Sequence, residues 1–223
     1  MRLVNRKYGL EFQLSENAVL NIVCENRIVF ESMIADFIGE LNGGEGAWIL
    51  SNNEEEISLS KSAEIILNPF SVTCNDRKIL NAVYKELHTI ADQIYPELFA
   101  EANSKILNFI DSIVIDVPYA LEYNPSGDIE GVFKIYDVKF DEELPTLEER
   151  VISYIKTTSQ VLRKKVFILV NIKSFLEDSA IQQLYKESMY SKVLLILLES
   201  KDYPKLDGEK KVLIDSDLCI IEA

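Results

Sequence analysis

KVFILVNIKSFLEDSAIQQLYKESMYSKVLLILLES, residues 165–200, is an apolar run, a helical pattern and a second apolar run. The two runs, Val166 to Ile172 and Val193 to Leu198, are continuous in hydrophobicity where a strand wetted on one face would alternate. Strands of that kind are covered on both faces, as in a parallel sheet. Between them Ile181, Leu184, Tyr185 and Met189 recur at three- and four-residue spacing, and Asp178 stands where a helix cap belongs. Parallel neighbours need a long crossover, usually a helix, so this piece predicts a strand–helix–strand unit in an α/β core. No catalytic signature falls on it.

Toward the amino end, Gly9 to Leu14 and Ala18 to Cys24 read as the arms of a hairpin about Ser15-Glu16-Asn17. Asn26 then precedes Val29, Met33, Ile34, Phe37, Ile38 and Leu41, a helical stripe that stops at Gly43-Gly44. A strand, a loop and a helix in this order are where a nucleotide-binding protein would carry its phosphate loop. Such a loop needs glycines, so that successive backbone N–H groups converge on the anion, and a lysine followed by Ser or Thr. The loop here is Cys24-Glu25-Asn26-Arg27, with no glycine and with a carboxylate that repels phosphate. Gly43-Gly44-Glu45-Gly46 follows a helix instead of opening one. These residues argue against nucleotide hydrolysis.

Ala47 to Leu50, Glu56 to Leu59 and Glu64 to Leu67 read as short strands, closed by Pro69. From Asp76 the character changes. Ile79, Leu80, Val83, Leu87, Ile90 and Ile94 trace one helical face, interrupted near Pro96, and Leu98, Phe99, Ile106, Leu107, Ile110 and Ile113 trace a second. Pro118 and Asn124-Pro125-Ser126-Gly127 break the pattern, and Pro145-Thr146 announce a third helix with Leu147, Val151, Tyr154, Ile155 and Leu162 on one side. The expected architecture is an α/β head with a largely parallel sheet, residues 1–75 and 164–223, and an inserted α-helical domain, residues 76–163.

With 223 residues, 48% of them hydrophobic, the chain has material for one or two domains. No apolar run approaches the ~18 residues of a membrane span, and MRLVNRKYGLEF lacks the unbroken apolar centre of a secretory signal. Cys24, Cys74 and Cys219 are odd in number and far apart, which reads as three buried, reduced thiols in a cytoplasmic protein. His88 is the only histidine, and one imidazole supplies no multi-histidine metal site. The net charge of −14 argues against a general nucleic-acid coat. It leaves a local basic surface open, and many carboxylates for a hard cation such as calcium.

Two local features could carry binding. Glu122-Tyr123-Asn124-Pro125-Ser126-Gly127-Asp128-Ile129-Glu130 is oxygen-rich at alternate positions with glycine sixth, like a calcium loop, but Phe133 stands where the bidentate glutamate belongs. The alternative is a solvated turn with Asp128 near the cap of the next helix. The second feature is Arg163-Lys164-Lys165, with Lys134 and Lys139 upstream. Cations at the end of the 146–163 helix are already favoured by its dipole and need no ligand to explain them.

The order of elements, together with several short words, resembles the type II-A CRISPR-associated accessory protein of spacer acquisition. The words are Asn26-Arg27-Ile28-Val29-Phe30, Ser62 to Pro69, Leu121-Glu122-Tyr123-Asn124 followed by Val138-Lys139, and Lys164 to Asn171 with Ser174-Phe175-Leu176 and Val193 to Glu199. The resemblance implies a head related to phosphate-loop ATPases that has lost nucleotide binding, and a helical leg. It also implies a non-enzymatic homotetrameric ring that accepts the ends of double-stranded DNA without sequence preference, is stabilised by calcium, and works beside the integrase complex and effector nuclease of its locus. Carried onto this chain, Glu122, Asp128 and Glu130 are candidate calcium ligands, and Lys134 and Lys139 candidate DNA contacts. Asn124 stands where an aspartate is expected. The competing classes are a degenerate nucleotide-binding ATPase and a scaffold that binds no nucleic acid.

Overall fold

The computed structural model describes residues 1–53 and 55–222, so Ala223, the end of the expected head segment, lies outside them. In chain order these residues form β1 (Arg2–Asn5), β2 (Leu10–Gln13), β3 (Val19–Cys24), α1 (Arg27–Leu41), β4 (Trp48–Asn52) and β5 (Glu55–Ile57). There follow α2 (Leu59–Ser62), β6 (Ala63–Ile66), α3 (Arg77–Ile94), α4 (Pro96–Val114), α5 (Ile129–Ile135) and α6 (Leu147–Val161). The last elements are β7 (Val166–Val170), α7 (Asp178–Tyr190), β8 (Leu194–Glu199), β9 (Glu209–Ile214) and β10 (Ile220–Glu222). The chain divides into two compact units, Met1–Cys74 with Glu142–Ala223, and Asn75–Asp141.

The first unit is built on a sheet ordered β10-β9-β3-β8-β7-β6, in which only the edge strand β10 is antiparallel. This mostly parallel α/β architecture is the one the 165–200 stretch predicts, with α7 joining β7 to its parallel neighbour β8. Alternate residues of the same strands feed two cores, which is why their sequences do not alternate. Phe167, Leu169, Leu195 and Leu197 pack with Ile181, Leu184 and Tyr185 of α7 and with Val151 and Ile155 of α6. Ile168, Ile196, Leu198 and Ile22 pack on the other side with Val29, Met33 and Phe37 of α1. That second core also takes Leu3, Phe12, Trp48 and Leu50 from an antiparallel sheet ordered β2-β1-β4-β5, where Trp48 stacks on Phe37 with ring centroids 4.2 Å apart.

Several expectations need correction. Gly9–Leu14 and Ala18–Cys24 do not form a hairpin: β2 pairs with β1, and β3 lies between β8 and β9 in the other sheet. The physical reason is already in β3, whose six residues are all buried and which therefore needs cover on both faces. Residues 56–59 divide between β5 and the start of α2. Asp178 is the first residue of α7, and the cap position before it, Glu177, makes no side-chain cap bond. The third long helix, α6, assigned from the sequence to the insertion, belongs to the first unit, because Val151 and Ile155 are fully buried against the sheet. Its start is fixed by a capping box between Thr146 and Glu149.

Arg163-Lys164-Lys165 is likewise no simple end-of-helix charge cluster. The Lys164 side chain is buried, and its ammonium donates to the backbone oxygens of Ser60 at 2.6 Å and Ala63 at 2.7 Å, closing the α2–β6 junction. Cys24 and Cys74 are buried, but Cys219 is exposed, and all three are free thiols.

In the second unit α3 is capped by Asp76, whose side chain accepts from Lys78 N, and Pro96 opens α4. Tyr84 of α3 donates from its hydroxyl to the Val138 carbonyl at 2.8 Å and lies near the Phe133 ring of α5. Asn75 and Phe140 exchange two hydrogen bonds, 3.1 and 2.8 Å, across the ends of this unit. No helix among the described residues is long and apolar enough to cross a membrane.

Candidate functional site

In open α/β sheets ligands collect at the carboxyl ends of the strands, where the order switches direction. β3 occupies that position, with β8 on one side and β9 on the other. A cavity of about 430 Å³ opens beside it, lined by Cys24, Glu25, Arg27, Phe30, Ser200, Lys201 and Asp202. What it can bind follows from where its donors go. The N–H groups of Ile28 and Val29 both donate to Asn26 Oδ1, at 3.1 and 3.2 Å, so the first turn of α1 is capped from within the chain. Glu25 N donates to the Ile214 carbonyl at 2.9 Å, and Asn26 Nδ2 to that of Ser216 at 3.1 Å. A phosphate would find these donors spent, and Glu25 and Asp202 set against Arg27 and Lys201. Burial pushes the Cys24 thiol up from its ordinary range, which keeps it protonated and a poor nucleophile.

A larger cleft, about 630 Å³, is bounded by Arg6, Glu40, the Gly43–Gly46 turn, Trp48 and residues 56–60. Its chemistry is structural. Glu40 accepts the Trp48 N–H at 2.6 Å, and partial burial raises its carboxyl above the usual range. A side chain on Gly46 would run into that carboxylate, so the glycine leaves room for the Glu40 contact with Trp48.

The residues predicted for metal and DNA lie in the second unit. Asp128 caps α5, its Oδ1 accepting Glu130 N at 3.0 Å, as the turn reading of that loop anticipates. Glu130 Oε1 is 3.5 Å from Nδ1 of His88, whose Nε2 is 3.3 Å from Asp92. Glu122 is exposed, on a loop tied to α4 by the Tyr123 hydroxyl on Asp111 and by Asn103 Nδ2 on the Pro125 carbonyl. Among the described residues no group of three or more His, Cys, Asp and Glu is placed to hold a metal ion. Glu122, Asp128 and Glu130 therefore do not fit calcium within a single chain: one carboxylate is spent on a cap and another faces an imidazole. Lys134, in the last turn of α5, and Lys139 are exposed, and the Lys139 ammonium pairs with Asp137, which raises its pKa.

One polar cluster is not foreseen by the sequence, although Tyr185 is read there as an apolar position of the helix. Asn21, Lys173, Tyr185, Glu199 and Glu209 form a buried polar cluster on the α7 side of the sheet. The available signal was the polar residue set into or closing an otherwise apolar strand, Asn21 in VLNIVC and Glu199 at the end of LLILLE.

Comparison with protein families finds that the model described as CRISPR-associated protein (Cas_Csn2) matches residues 40–218. Among solved structures the chain is similar to the one titled "Crystal structure of Stu0660 of Streptococcus thermophilus", with a TM-score of 0.64 at 14% identity. The likeness covers 96% of this chain and 74% of that one, and at this identity it speaks for the fold. Comparison with curated proteins yields no match.

Proposed function

From the premise that the chain belongs to the Csn2 family of CRISPR-associated proteins, we propose that it binds the ends of double-stranded DNA as a homotetrameric ring. In this reading it has no enzymatic activity and supports capture of new spacers in a type II-A system, beside the integrase complex and effector nuclease of the same locus. The observation that carries the proposal is the family match over residues 40–218, which spans both compact units. The donors spent at Glu25 and Asn26 support the non-enzymatic part. Without a cradle of free N–H groups and a lysine, the phosphates of a nucleotide have nothing to hold them.

A net charge of −14 is compatible with this function if lysines face a closed channel and carboxylates face outward. Lys134 and Lys139 are the proposed channel contacts, and they would touch phosphates, which carry no sequence information. A ring that threads onto a duplex needs a free end, so linear DNA should compete strongly and covalently closed circles of the same sequence should not. If four subunits each neutralise about two phosphates, log affinity should fall against log salt with a slope of roughly −7, from about −0.9 per phosphate. Charge reversal at Lys134 and Lys139 should weaken binding to every sequence alike and flatten that slope. Tight binding to closed circles, or a slope untouched by the double reversal, would remove the threaded ring. Calorimetry with ATP tests the competing nucleotide-binding class and should show no binding.

A further inference from the structure

The buried cluster beneath the end of β8 carries one more carboxylate than its lysine serves. Lys173 is almost wholly buried and its ammonium pairs with Glu209, whose side chain is completely buried. Glu209 is further satisfied by the Tyr185 hydroxyl at 2.6 Å on Oε1 and by Asn21 Nδ2 at 2.9 Å on Oε2. Glu199 is also fully buried, yet its Oε1 accepts the Lys173 backbone N–H at 3.1 Å while its Oε2 has no partner among the described residues. An ionised oxygen left bare in such surroundings is strongly unfavourable, whereas a protonated carboxyl is not.

The same lysine also touches the chain that follows β8. Lys173 Nζ lies 3.4 Å from the Pro204 carbonyl, a long bond. Beside it the Lys211 ammonium donates to the Tyr203 carbonyl at 2.8 Å and pairs with Asp202. Two lysines of the buried layer thus hold the middle of the 200–208 segment from below, while its ends are fixed separately, by Ser200 N–H and hydroxyl on Asn171 Oδ1 at 2.8 and 2.9 Å and by Val19 N–H on the Gly208 carbonyl at 2.8 Å. Its first residues, Ser200, Lys201 and Asp202, line the crevice beside β3.

We propose that Glu199 is the proton-binding element of a latch on the 200–208 segment, closed when its carboxyl is protonated and loosened when it is ionised. A solvent proton adds to or leaves Glu199 Oε2, and no other bond changes. With Glu199 neutral, the Lys173 and Glu209 charges cancel. With Glu199 ionised, the three groups carry one net negative charge in a dry place, and the Lys173 ammonium is drawn away from the Pro204 carbonyl toward two competing carboxylates. The groups that face this event are Lys173, Glu209 and the N–H groups of Ile172 and Lys173, Tyr185 from α7 with Asp178 at greater range, and Lys211 with Asp202 at the neighbouring anchor. Burial pushes Glu199 up to about 7, against the opposing pull of the Lys173 N–H and charge, so the latch changes state near neutrality.

Amide hydrogen exchange on the whole protein, corrected for the intrinsic pH dependence of exchange, is the test. Protection across residues 200–208 should fall about tenfold more in the wild type than in Glu199→Gln between about pH 6 and about pH 8. Equal pH dependence in the two proteins, or none in the wild type, overturns the latch. Should Glu199→Gln fail to fold, the carboxyl carbon of Glu199 in the wild type, followed by NMR, should titrate with a midpoint near 7. A midpoint below about 5.5 would mean that the carboxylate is satisfied when ionised, and would overturn the proposal equally.

Discussion

Asn26 and Glu199 are single residues whose side chains decide what their surroundings can do. Asn26 turns the amino end of α1 inward by accepting two of its free N–H groups, so the place where an anion would sit is filled by the chain itself. Glu199 has the opposite character, an oxygen without a partner in a dry place. Its raised pKa makes a thermodynamic prediction apart from the motion of any loop. In the window between the ordinary glutamate value, about 4.3, and about 7, the folded protein keeps a proton that the unfolded chain has released. Stability relative to Glu199→Gln is therefore fully present below that window and lost as pH rises through 7, by an amount of order 4 kcal/mol at about 1.4 kcal/mol per pKa unit. Urea unfolding of both proteins across this range checks the sign: a difference that grows in favour of the wild type with rising pH would contradict it.

At the scale of elements, each unit ties together its own ends where the chain passes from one unit to the other. Glu142 accepts from the Thr73 hydroxyl at 2.8 and 3.0 Å, joining the two strands of chain that lead into and out of residues 75–141, and within that unit Asn75 and Phe140 repeat the arrangement. The loop before α5 is the element on which the calcium expectation from the resemblance turns. Asp128→Ala removes a helix cap and should lower stability by about 1 kcal/mol with or without the ion. The informative quantity is the increment due to calcium. If Asp128 also binds the ion in the assembled protein, calcium should raise the melting temperature of the wild type more than that of the variant. Equal increments would assign the ion to other residues, consistent with the lack of a three-donor cluster among the described residues of one chain.

For the whole molecule, the family assignment carries a prediction about assembly. Solution mass should correspond to four chains in calcium, and should fall when a chelator is added if an ion joins subunits, as the resemblance implies. Ile94, Leu98, Phe109, Ile113 and Ile115 are more than half exposed on the second unit, apolar surface that an isolated chain leaves wet. A monomer under both conditions would count against the ring and with it against the threaded duplex. A tetramer indifferent to chelation would keep the ring and discard the cation.

The sequence by itself determined the parallel core, because β7, β8 and the helix between them are local and each carries its period in its own residues: unbroken apolarity in Val166–Val170 and in residues 194–198, spacing of three and four in Ile181, Leu184 and Tyr185. It also determined what is missing, since the loop at Cys24 to Arg27 lacks the glycines whose backbone would hold a phosphate. Pairing between distant strands was decided only in three dimensions. β3 follows β2 closely yet lies against Glu209–Ile214 and Leu194–Glu199, because burial on both faces outweighs nearness along the chain. The same holds for α6, whose amphipathic pattern shows that it has a buried face but not which core it faces. Lys173, Glu199 and Glu209 come from three elements, and their meeting depends on the sheet register and on Lys173 lying just beyond β7, quantities that no local pattern encodes. The carboxylates of the 122–130 loop were legible as residues. Their employment, one capping a helix and one facing His88, is a property of packing.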